Sequence, residues 1–359
     1  FAGYVLSESR AAARLVRLSA ALIGWLPGGL AMVAVATCSL FTAFTGGSGV
    51  TIIAIGALLF PALVQAGYSE RFTLGLVTSS GSLGLLFAPS LPLIIYGIIA
   101  EVSIDSLFVA GIVPGILMML ALAAFCLLRN RANRRPLAEF SWREVRAAIR
   151  ESIWELPLPV VVLGGIYSGY FAVSEAAAVT VVYVLIAELL IYREVPWRRV
   201  PGIVRESMVL VGGILLILGI SLASTNYMID AQVPQQLIEL VTSQISDQVS
   251  FLLLLIGFLL LIGCILHIFS ALVLVVPLML PVAARYGVDP VHLGIIFVAT
   301  MELGYLLPPI GLNLYISSYR FNRPVLEVCL ATLPFILILF AAVLLITFVP
   351  ALSLALVPK

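Results

Sequence analysis

Charged side chains are scarce in this chain of 359 residues, since Asp, Glu, Lys and Arg make up 10% of it against 62% hydrophobic residues. A soluble domain is usually about 25% charged and about 45–50% apolar. A soluble fold of this size lacks the polar residues to cover so much apolar surface, whereas lipid supplies apolar surroundings. The composition therefore predicts an integral membrane protein of many helices.

Residues that commonly bind metals or carry covalent chemistry are also few. The chain has four cysteines and two histidines. The cysteines stand singly in apolar stretches, which argues against a zinc site or a disulfide framework. No HExxH, GxSxG, Walker A or Rossmann pattern occurs, and the net charge of +1 gives no sign of a nucleic-acid partner. These absences argue against an enzyme and against an ATP motor within the chain.

The chain starts with Phe1, and residues 1–6 have the composition of the end of an apolar segment. No succession of basic, apolar and cleavage regions marks a signal peptide. We therefore expect the natural N-terminus to lie upstream, which makes any number of spans derived from this sequence a lower bound.

Apolar stretches of about 20 residues, the length that spans a membrane, recur along the chain. Uninterrupted stretches are found at 107–128, 175–192, 208–227 and 328–349, with a shorter one at 156–171. Stretches interrupted by Gly, Ser and Pro are found at 26–64, 72–99, 251–283 and 292–317. Each long stretch, 26–64 or 251–283, is compatible with one tilted helix, two short spans or a hairpin that turns inside the membrane. We favour re-entrant hairpins here, with 72–99 and 292–317 as broken helices.

Arginine indicates the orientation of these elements. Residues 7–22 and 234–245 have the pattern of amphipathic helices on the membrane surface, and Arg10, Arg14 and Arg17 share one face of the first. Residues 129–150 carry seven arginines and are expected to form a solvated loop. Because basic residues concentrate in cytoplasmic loops, we place this loop inside. With two hairpins, 17 of the 19 basic residues then lie inside, and only Arg285 and Lys359 lie outside.

Glycine and proline recur at an offset of 220 residues. The matched pairs are Pro61 with Pro281, Gly67 with Gly287, Gly84 with Gly304 and Pro89 with Pro309. Because the arginine distribution gives the two copies opposite orientations, we predict an inverted repeat of the kind found in secondary transporters. The first copy comprises residues 1–128 and the second comprises residues 156–359, with the connector 129–155 between them.

The hairpin turns and helix breaks are the predicted functional sites. Broken helices place free carbonyls and helix N-termini near the membrane midplane, where they bind sodium and anionic substrates. Small hydroxyl and carbonyl oxygens suit a hard cation such as sodium. The candidates in the first copy are Thr45, Gly47, Ser48, Gly49, Ser80, Gly81, Ser82 and Pro89. The candidates in the second copy are His267, Ser270, Gly304, Tyr305, Leu307, Pro309 and Asn313. Alternatively, these Gly and Ser residues only permit close helix packing.

Four ionisable residues lie in or beside apolar stretches, where such residues are candidates for function. Glu302 directly precedes the second break and is the best candidate for a coupling or gating carboxylate. Glu175 follows Ser174 at a helix start, which favours a capping role. Glu188 lies near a cytoplasmic helix end, from which it can reach the surface. His267 is expected either to bond a backbone carbonyl or to titrate.

Five stretches resemble the large membrane subunit of the tripartite ATP-independent periplasmic (TRAP) transporters, and the resemblance extends over essentially the whole chain. They are FTGGSGVTIIAIGALLFPAL (44–63), LGLLFAPSLPLIIYG (83–97), SEAAAVTVVYVL (174–185), VPLMLPVAARYGVDPVHLGIIF (276–297) and LGYLLPPIGLNLY (303–315). The resemblance implies a sodium-coupled, elevator-type importer of organic acids, such as C4-dicarboxylates or sugar acids, in the bacterial inner membrane. It also implies a periplasmic binding protein, a small four-helix membrane subunit, and about 70 further residues at the front.

The same resemblance implies two sodium sites. One uses Ser48, its neighbours Gly47 and Gly49, and the carbonyls of residues 80–82; the other uses residues 267–270 and the carbonyls of residues 304–307. Many family members have an Asp-Thr-Thr-like tip where this chain has His267-Ile268-Phe269, and Thr where it has Leu307, so the second site must rely on backbone oxygens. We expect the substrate to contact Thr45, Ser48, Ser82, Pro89, Pro309 and Asn313.

Two other functions remain open at this point. A direct sodium–dicarboxylate symporter or an ion antiporter has the same architecture without a binding protein. A membrane protein that transports nothing, either an assembly scaffold or an enzyme, is the third interpretation.

Overall fold

A computed structural model describes residues 1–26, 28–129, 139–168 and 170–357. These residues form helices and no strand. Seven of the helices are long and apolar enough to cross a membrane, or up to eight spans exist if a bent pair over Glu70–Leu86 and Leu91–Ala100 is one span. The prediction of an all-α polytopic membrane protein is therefore confirmed.

The helices fall into two groups along the chain. The first group is α1 (Ala2–Glu8), α2 (Ala11–Ile23), α3 (Gly29–Thr45), α4 (Ser48–Gln65), α5 (Glu70–Ser80), α6 (Leu91–Ala100) and α7 (Ile104–Arg129). The second group starts with α8 (Trp142–Glu151), α9 (Pro157–Tyr167), α10 (Val173–Leu185), α11 (Val200–Asp230) and α12 (Val233–Gln244). It ends with α13 (Gln248–Ile265), α14 (Ile268–Arg285), α15 (Pro290–Gly304), α16 (Leu312–Phe321), α17 (Val325–Phe348) and α18 (Ala351–Leu354).

Both long interrupted stretches form helical hairpins with two-residue turns. α3 and α4 are joined by Gly46 and Gly47, and α13 and α14 by Leu266 and His267. Gly46 has φ 67°, a left-handed conformation that glycine adopts without strain. Three of the four arms have 18 residues and α3 has 17. Because 18 residues of helix extend about 27 Å, length alone does not separate a crossing arm from a re-entrant one, and re-entry stays a prediction.

Helix boundaries repeat at the same offset of 220 residues as the glycines and prolines. α3 ends at Thr45 and α13 at Ile265; α4 begins at Ser48 and α14 at Ile268; α5 begins at Glu70 and α15 at Pro290. The breaks also match, because both Pro89 and Pro309 follow a cis peptide bond. The opposite orientation of the two copies in the membrane stays a prediction.

The broken helices are interrupted in different ways. After α5 the chain forms a short 3-10 turn at Leu83–Leu86 before α6, and the axes of the two parts differ by 43°. After α15 the chain runs through residues 305–311 without regular structure before α16 begins. In both halves the interruption falls within the predicted stretch.

Three predictions for the surface segments are wrong. Residues 7–22 do not form one helix, since α1 ends at Glu8 and α2 begins at Ala11. Residues 142–151 are not a loop but form α8. The reason lies in contacts with α2, because Glu144 and Glu151 of α8 both pair with Arg17. Residues 130–138 of the connector and Lys359 lie outside the described residues.

Arg14 of α2 is buried rather than solvated, with 8% of its surface exposed. Its Nη1 lies 2.7 Å from Glu194, its Nη2 lies 3.1 Å from Glu188, and its Nε donates to Glu155. The ring of Tyr192 covers the guanidinium at 3.9 Å. Burial raises the pKa of the Glu155 carboxyl, and the positive charge of Arg14 opposes that rise. One arginine therefore fixes α2 to three segments that lie far apart in the sequence.

Two predictions for glutamates are settled by these contacts. Glu188 does not reach the surface, because it is fully buried against Arg14. Glu175 caps α10 as predicted, since its Oε2 accepts the N–H of Ala172 at 2.9 Å.

Replacing Arg14 by Met should lower the free energy of unfolding by about 3–5 kcal/mol, because three buried or half-buried carboxylates lose their shared partner. Arg17→Met is the matched control, since the Arg17 side chain is 40% exposed and also pairs with two glutamates. We expect it to cost less than about 1 kcal/mol. Denaturant unfolding of the purified protein in detergent measures both, and equal losses would contradict a special role for Arg14.

Candidate functional site

The two hairpin turns meet at a cavity of about 280 Å³. Six residues predicted to be functional line it, and they are Thr45, Gly47, Ser48, Gly49, His267 and Tyr305. The remaining lining residues are Tyr4, Gly46, Val50, Leu85, Leu91, Pro92, Leu210, Ile268, Phe269, Leu312 and Ile316. The cavity therefore brings together the turns and breaks of both halves, which are about 220 residues apart in the sequence.

The first hairpin turn contributes mainly backbone and small side chains. Ser48 is the first residue of α4 and is buried. Thr45 uses its hydroxyl within α3, since its Oγ1 donates to Phe41 O at 2.9 Å. With Gly46, Gly47 and Gly49 beside them, the backbone amides at this turn can closely approach a bound group.

Below this turn lies a pair of threonines that the sequence analysis missed. The hydroxyls of Thr42 and Thr51 lie 2.6 Å apart, and Thr42 Oγ1 donates to Gly81 O at 2.7 Å. Both side chains are buried. Thr42 lies three residues before Thr45, and Thr51 three after Ser48, so each stands about one helical turn from the hairpin turn. This equal spacing is the signal that would have identified them.

The first break lies against this hairpin. A Cβ on Gly81 would be 2.6 Å from Ile52 Cγ1 and 3.4 Å from Ser48 O, so Gly81 touches the first turns of α4. Ser80 and Ser82 are buried, and Ser80 Oγ donates to Leu76 O of its own helix. Gly81 thus brings the break to the hairpin turn, while the two serines stand behind the cavity wall.

The second hairpin turn is fixed by its own break. The N–H of Ile268 donates to Tyr305 Oη at 2.7 Å, and the N–H of Phe269 lies 3.5 Å from His267 Nδ1. In addition, Ile310 N–H donates to Cys264 O at 3.2 Å. The expectation that His267 bonds a carbonyl is wrong in this respect: its Nδ1 accepts from a backbone amide.

The carbonyls of the second break are engaged within the break. Gly304 O accepts from Leu307 N–H, and Leu307 O accepts from Gly311 N–H, both at 3.1 Å. Tyr305 O accepts from Asn313 N–H, also at 3.1 Å. Ser270, Leu307 and the exposed Pro309 do not line the cavity, and in the first half neither does Pro89.

Glu302 and Asn313 are buried behind the cavity. Glu302 is 1% exposed and neither of its carboxylate oxygens has a hydrogen-bond partner among the described residues. The amide of Asn313 is in the same situation at 0% exposure. Buried polar groups without partners are costly, so both side chains remain candidates for function.

Glycine allows each break to touch the backbone of its hairpin. A Cβ on Gly84 would lie 2.2 Å from Ser39 O and 2.6 Å from Ala43 N. A Cβ on Gly304 would lie 2.5 Å from the Cα of Gly263. The two contacts are equivalent, since both residues of the first pair, Gly84 and Ala43, precede those of the second by 220 positions. Backbone-to-backbone packing therefore sets the position of each break.

Four helices begin at the cavity. Their first residues, Ser48 of α4, Leu91 of α6, Ile268 of α14 and Leu312 of α16, all line it. A helix N-terminus presents unpaired N–H groups and a partial positive charge, which together bind anions. The four N-termini therefore favour negative charge inside this cavity.

Capping distinguishes these helices from those that begin elsewhere. No side chain caps α4, α6 or α16. By contrast, Ser69 caps α5, and Asp289 caps α15 with two hydrogen bonds. Asp247 caps α13, and its bond from Ser250 N–H lowers the pKa of the Asp247 carboxyl. Helix starts at the cavity thus keep amides available that are satisfied at the other starts.

Comparison with known proteins gives consistent matches over nearly the full chain. The family model described as the DctM component of the tripartite ATP-independent periplasmic transporter matches residues 1–352. The C4-dicarboxylate TRAP transporter large permease protein DctM of Pseudomonas aeruginosa is 36% identical over 99% of this chain and 83% of its own length.

Other relatives carry different substrates in their names. The isethionate TRAP transporter permease protein DctMQ of Oleidesulfovibrio alaskensis is 34% identical over 98% of this chain and 55% of its own length. The ectoine/5-hydroxyectoine TRAP transporter large permease protein UehC of Ruegeria pomeroyi is 33% identical over 99% of this chain and 83% of its own length. Identity at this level therefore leaves the substrate of this chain open.

Replacing Gly84 by Ala should lower the free energy of unfolding by about 1–3 kcal/mol, the usual cost of overpacking, because the new methyl group meets backbone atoms of α3. Gly257→Ala is the matched control, since no atom lies within 4 Å of its Cβ position in α13. We expect this control to be neutral or slightly stabilising. Thermal unfolding in detergent measures both variants, and an unchanged Gly84→Ala protein would contradict the contact.

Proposed function

The chain belongs to the DctM family of tripartite ATP-independent periplasmic transporters, whose members named above are permeases, and we propose that it imports small organic anions driven by sodium. The observation that carries the proposal is the cavity between the two hairpin turns, at which four helix N-termini meet. Such N-termini bind anions in discontinuous transporter helices. The proposed location is the bacterial inner membrane, where a periplasmic binding protein delivers the substrate.

Oxygen atoms at the first hairpin support a sodium site there. Thr42 Oγ1, Thr51 Oγ1 and Gly81 O form a hydrogen-bonded group, and Thr51 Oγ1 also lies 3.4 Å from Gly47 O. Ser48 begins the helix next to them. A hard cation prefers this kind of neutral oxygen ligand when the surrounding structure is closely packed. We propose that sodium binds among Thr42, Ser48, Thr51 and the carbonyls at Gly47 and Gly81.

The second hairpin has fewer such oxygens. The positions equivalent to Thr42, Ser48 and Thr51 are Ile262, Ile268 and Ala271. Any second sodium ion must use the hydroxyl of Ser270 or carbonyls that already accept N–H groups at Gly304 and Leu307. We therefore propose that the first half supplies the stronger sodium site.

The packing of turns and breaks supports an elevator mechanism. Gly84 fixes the first break to α3, and Gly304 fixes the second break to α13. Each break moves with its hairpin as long as these contacts hold, so the cavity is carried by one packed unit. We propose that this unit slides relative to the remaining helices and exposes the cavity on alternate sides, as rigid-body models of repeat transporters require.

An exposed apolar surface supports contact with a small membrane subunit. Beyond Ser207, no described side chain of α11 is buried, and Leu215, Leu216 and Ile220 are each more than 60% exposed. A helix with so few contacts inside its own chain gains packing from a neighbouring helix in the membrane. We propose that the small subunit packs along this part of α11.

The proposed function is tested by uptake into proteoliposomes that contain the complete large subunit and its small partner. We expect uptake of a labelled organic anion to require both an inward sodium gradient and the cognate binding protein. Uptake that requires sodium but not the binding protein would instead identify a direct symporter. Absence of any sodium-dependent uptake over a panel of anions would overturn the proposed function.

Replacing Thr51 by Val should raise the sodium concentration for half-maximal uptake about tenfold, the factor that corresponds to 1.4 kcal/mol of lost ligand interaction. Thr347→Val is the matched control, because this buried threonine bonds only to Val343 O in its own helix, α17, at 2.8 Å. A sodium titration of uptake measures both. Equal sodium dependence in wild type and Thr51→Val would contradict the first sodium site.

Replacing Leu216 by Trp should reduce copurification of the small subunit at least about threefold, because the larger ring disturbs a packed helix surface. Leu337→Trp on α17 is the matched control, since Leu337 is 62% exposed and Leu216 is 66% exposed. Affinity purification from membranes, with both subunits quantified, measures the effect. Equal recovery in both variants would place the small subunit elsewhere.

A further inference from the structure

We propose that the transported substrate carries a single anionic group, which binds between the starts of α4 and α6, and a compact body that packs against His267, Phe269 and Tyr305. This inference rests on the proposed function and narrows it. It favours organic monoanions and zwitterions with one carboxylate or sulfonate over C4-dicarboxylates.

Fixed charge is missing from the described lining of the cavity. The lining residues include no Arg, Lys, Asp or Glu, and His267 is the one ionisable side chain among them apart from two tyrosines. Attraction for an anion must then come from helix N-termini and from a cotransported cation. Each helix N-terminus supplies about half a positive charge. A second carboxylate therefore needs its own set of available amides.

The amides of the second half are already satisfied. The hydroxyl of Tyr305 accepts the N–H of Ile268, and its carbonyl accepts the N–H of Asn313. His267 Nδ1 faces the N–H of Phe269 at 3.5 Å. Tyr305 thus occupies amides at the starts of both α14 and α16. An anion at this end would have to displace these contacts.

The amides of the first half have no such partner. Leu85 stands at the position equivalent to Tyr305 and also lines the cavity, but its side chain has no polar atom. No side chain caps α4 or α6. Glycines at positions 46, 47 and 49 let an anionic group come close to the backbone. The first half therefore offers the anion site.

The opposite wall suits an uncharged or cationic body. Phe269, Ile268 and the ring of Tyr305 form it, with His267 beside them. Aromatic faces attract apolar groups and cations, whereas a carboxylate placed there would lose water without gaining a charged partner. The Tyr305 hydroxyl has no acceptor within the described part of the chain, so it can donate to one neutral oxygen of the substrate.

Ligand binding to the membrane complex alone separates this selectivity from that of the binding protein. The complete large subunit and its small partner, in nanodiscs with saturating sodium, are titrated with four probes and followed by thermal unfolding. The probes are 3-hydroxybutyrate, isethionate, ectoine and succinate. We expect at least one of the three probes with a single anionic group to bind about tenfold or more tighter than succinate, a difference of 1.4 kcal/mol.

Tyr305→Phe tests the cause of the selectivity. Loss of the hydroxyl releases the N–H of Ile268, which should raise the affinity for succinate, relative to the best probe with one anionic group, about tenfold, again 1.4 kcal/mol. Tyr286→Phe is the matched control: its hydroxyl donates to Ile245 O at 2.8 Å, outside the cavity. We expect it to leave the ratio of affinities unchanged.

The outcomes separate the inference from the proposed function. Succinate binding in the presence of sodium as tightly as every other probe, or tighter, would overturn the single-anion inference and leave sodium-coupled import standing. An unchanged ratio in a folded Tyr305→Phe protein would overturn the role of Tyr305. No sodium-dependent binding of any probe, together with no uptake, would overturn the proposed function itself. If Tyr305→Phe does not fold, the four-probe comparison on the wild type still decides.

Discussion

Backbone N–H and C=O groups released by a helix break cannot be satisfied by lipid, so a broken helix persists in a membrane only where protein covers the break. In this chain the cover is the hairpin of the same half. Thr42 of the first hairpin donates to Gly81 O of the first break, and Cys264 O of the second hairpin accepts from Ile310 N–H of the second break. The turns and breaks are therefore held together, and the cavity forms where the two halves meet.

The two halves share a backbone plan but divide the chemistry unequally. Hydroxyls below the first turn belong to Thr42 and Thr51, and the equivalent residues Ile262 and Ala271 are apolar. The second half instead uses Tyr305, whose hydroxyl accepts an amide of its hairpin. The first half thus retains oxygens and amides for ions, whereas the second half satisfies its amides internally. A duplicated scaffold with one converted half gives a cavity with a polar and an aromatic end.

Much of the fold was accessible from composition and punctuation. The long apolar stretches gave the helices, and Gly46–Gly47, Gly81, Gly84 and the prolines marked the turns and breaks to within a few residues, because these residue types interrupt helical hydrogen bonding locally. The burial of Arg14 was not accessible. Its partners Glu155, Glu188 and Glu194 are more than 140 positions away, and an arginine on an amphipathic surface has the same local pattern whether or not carboxylates cover it.

The candidate site divides in the same way. The sequence by itself determined the class of protein, the repeat and the turns with Ser48 and His267, because each depends on local residue types and their spacing. Only the tertiary structure decided which of these residues share a cavity, that Thr42 and Thr51 adjoin Gly81, and that Glu302 stands behind the wall. Those relations depend on contacts between helices, which the one-dimensional spacing of apolar residues does not specify. Whether a helix-start amide is available depends likewise on Tyr305, a partner from another element of the fold.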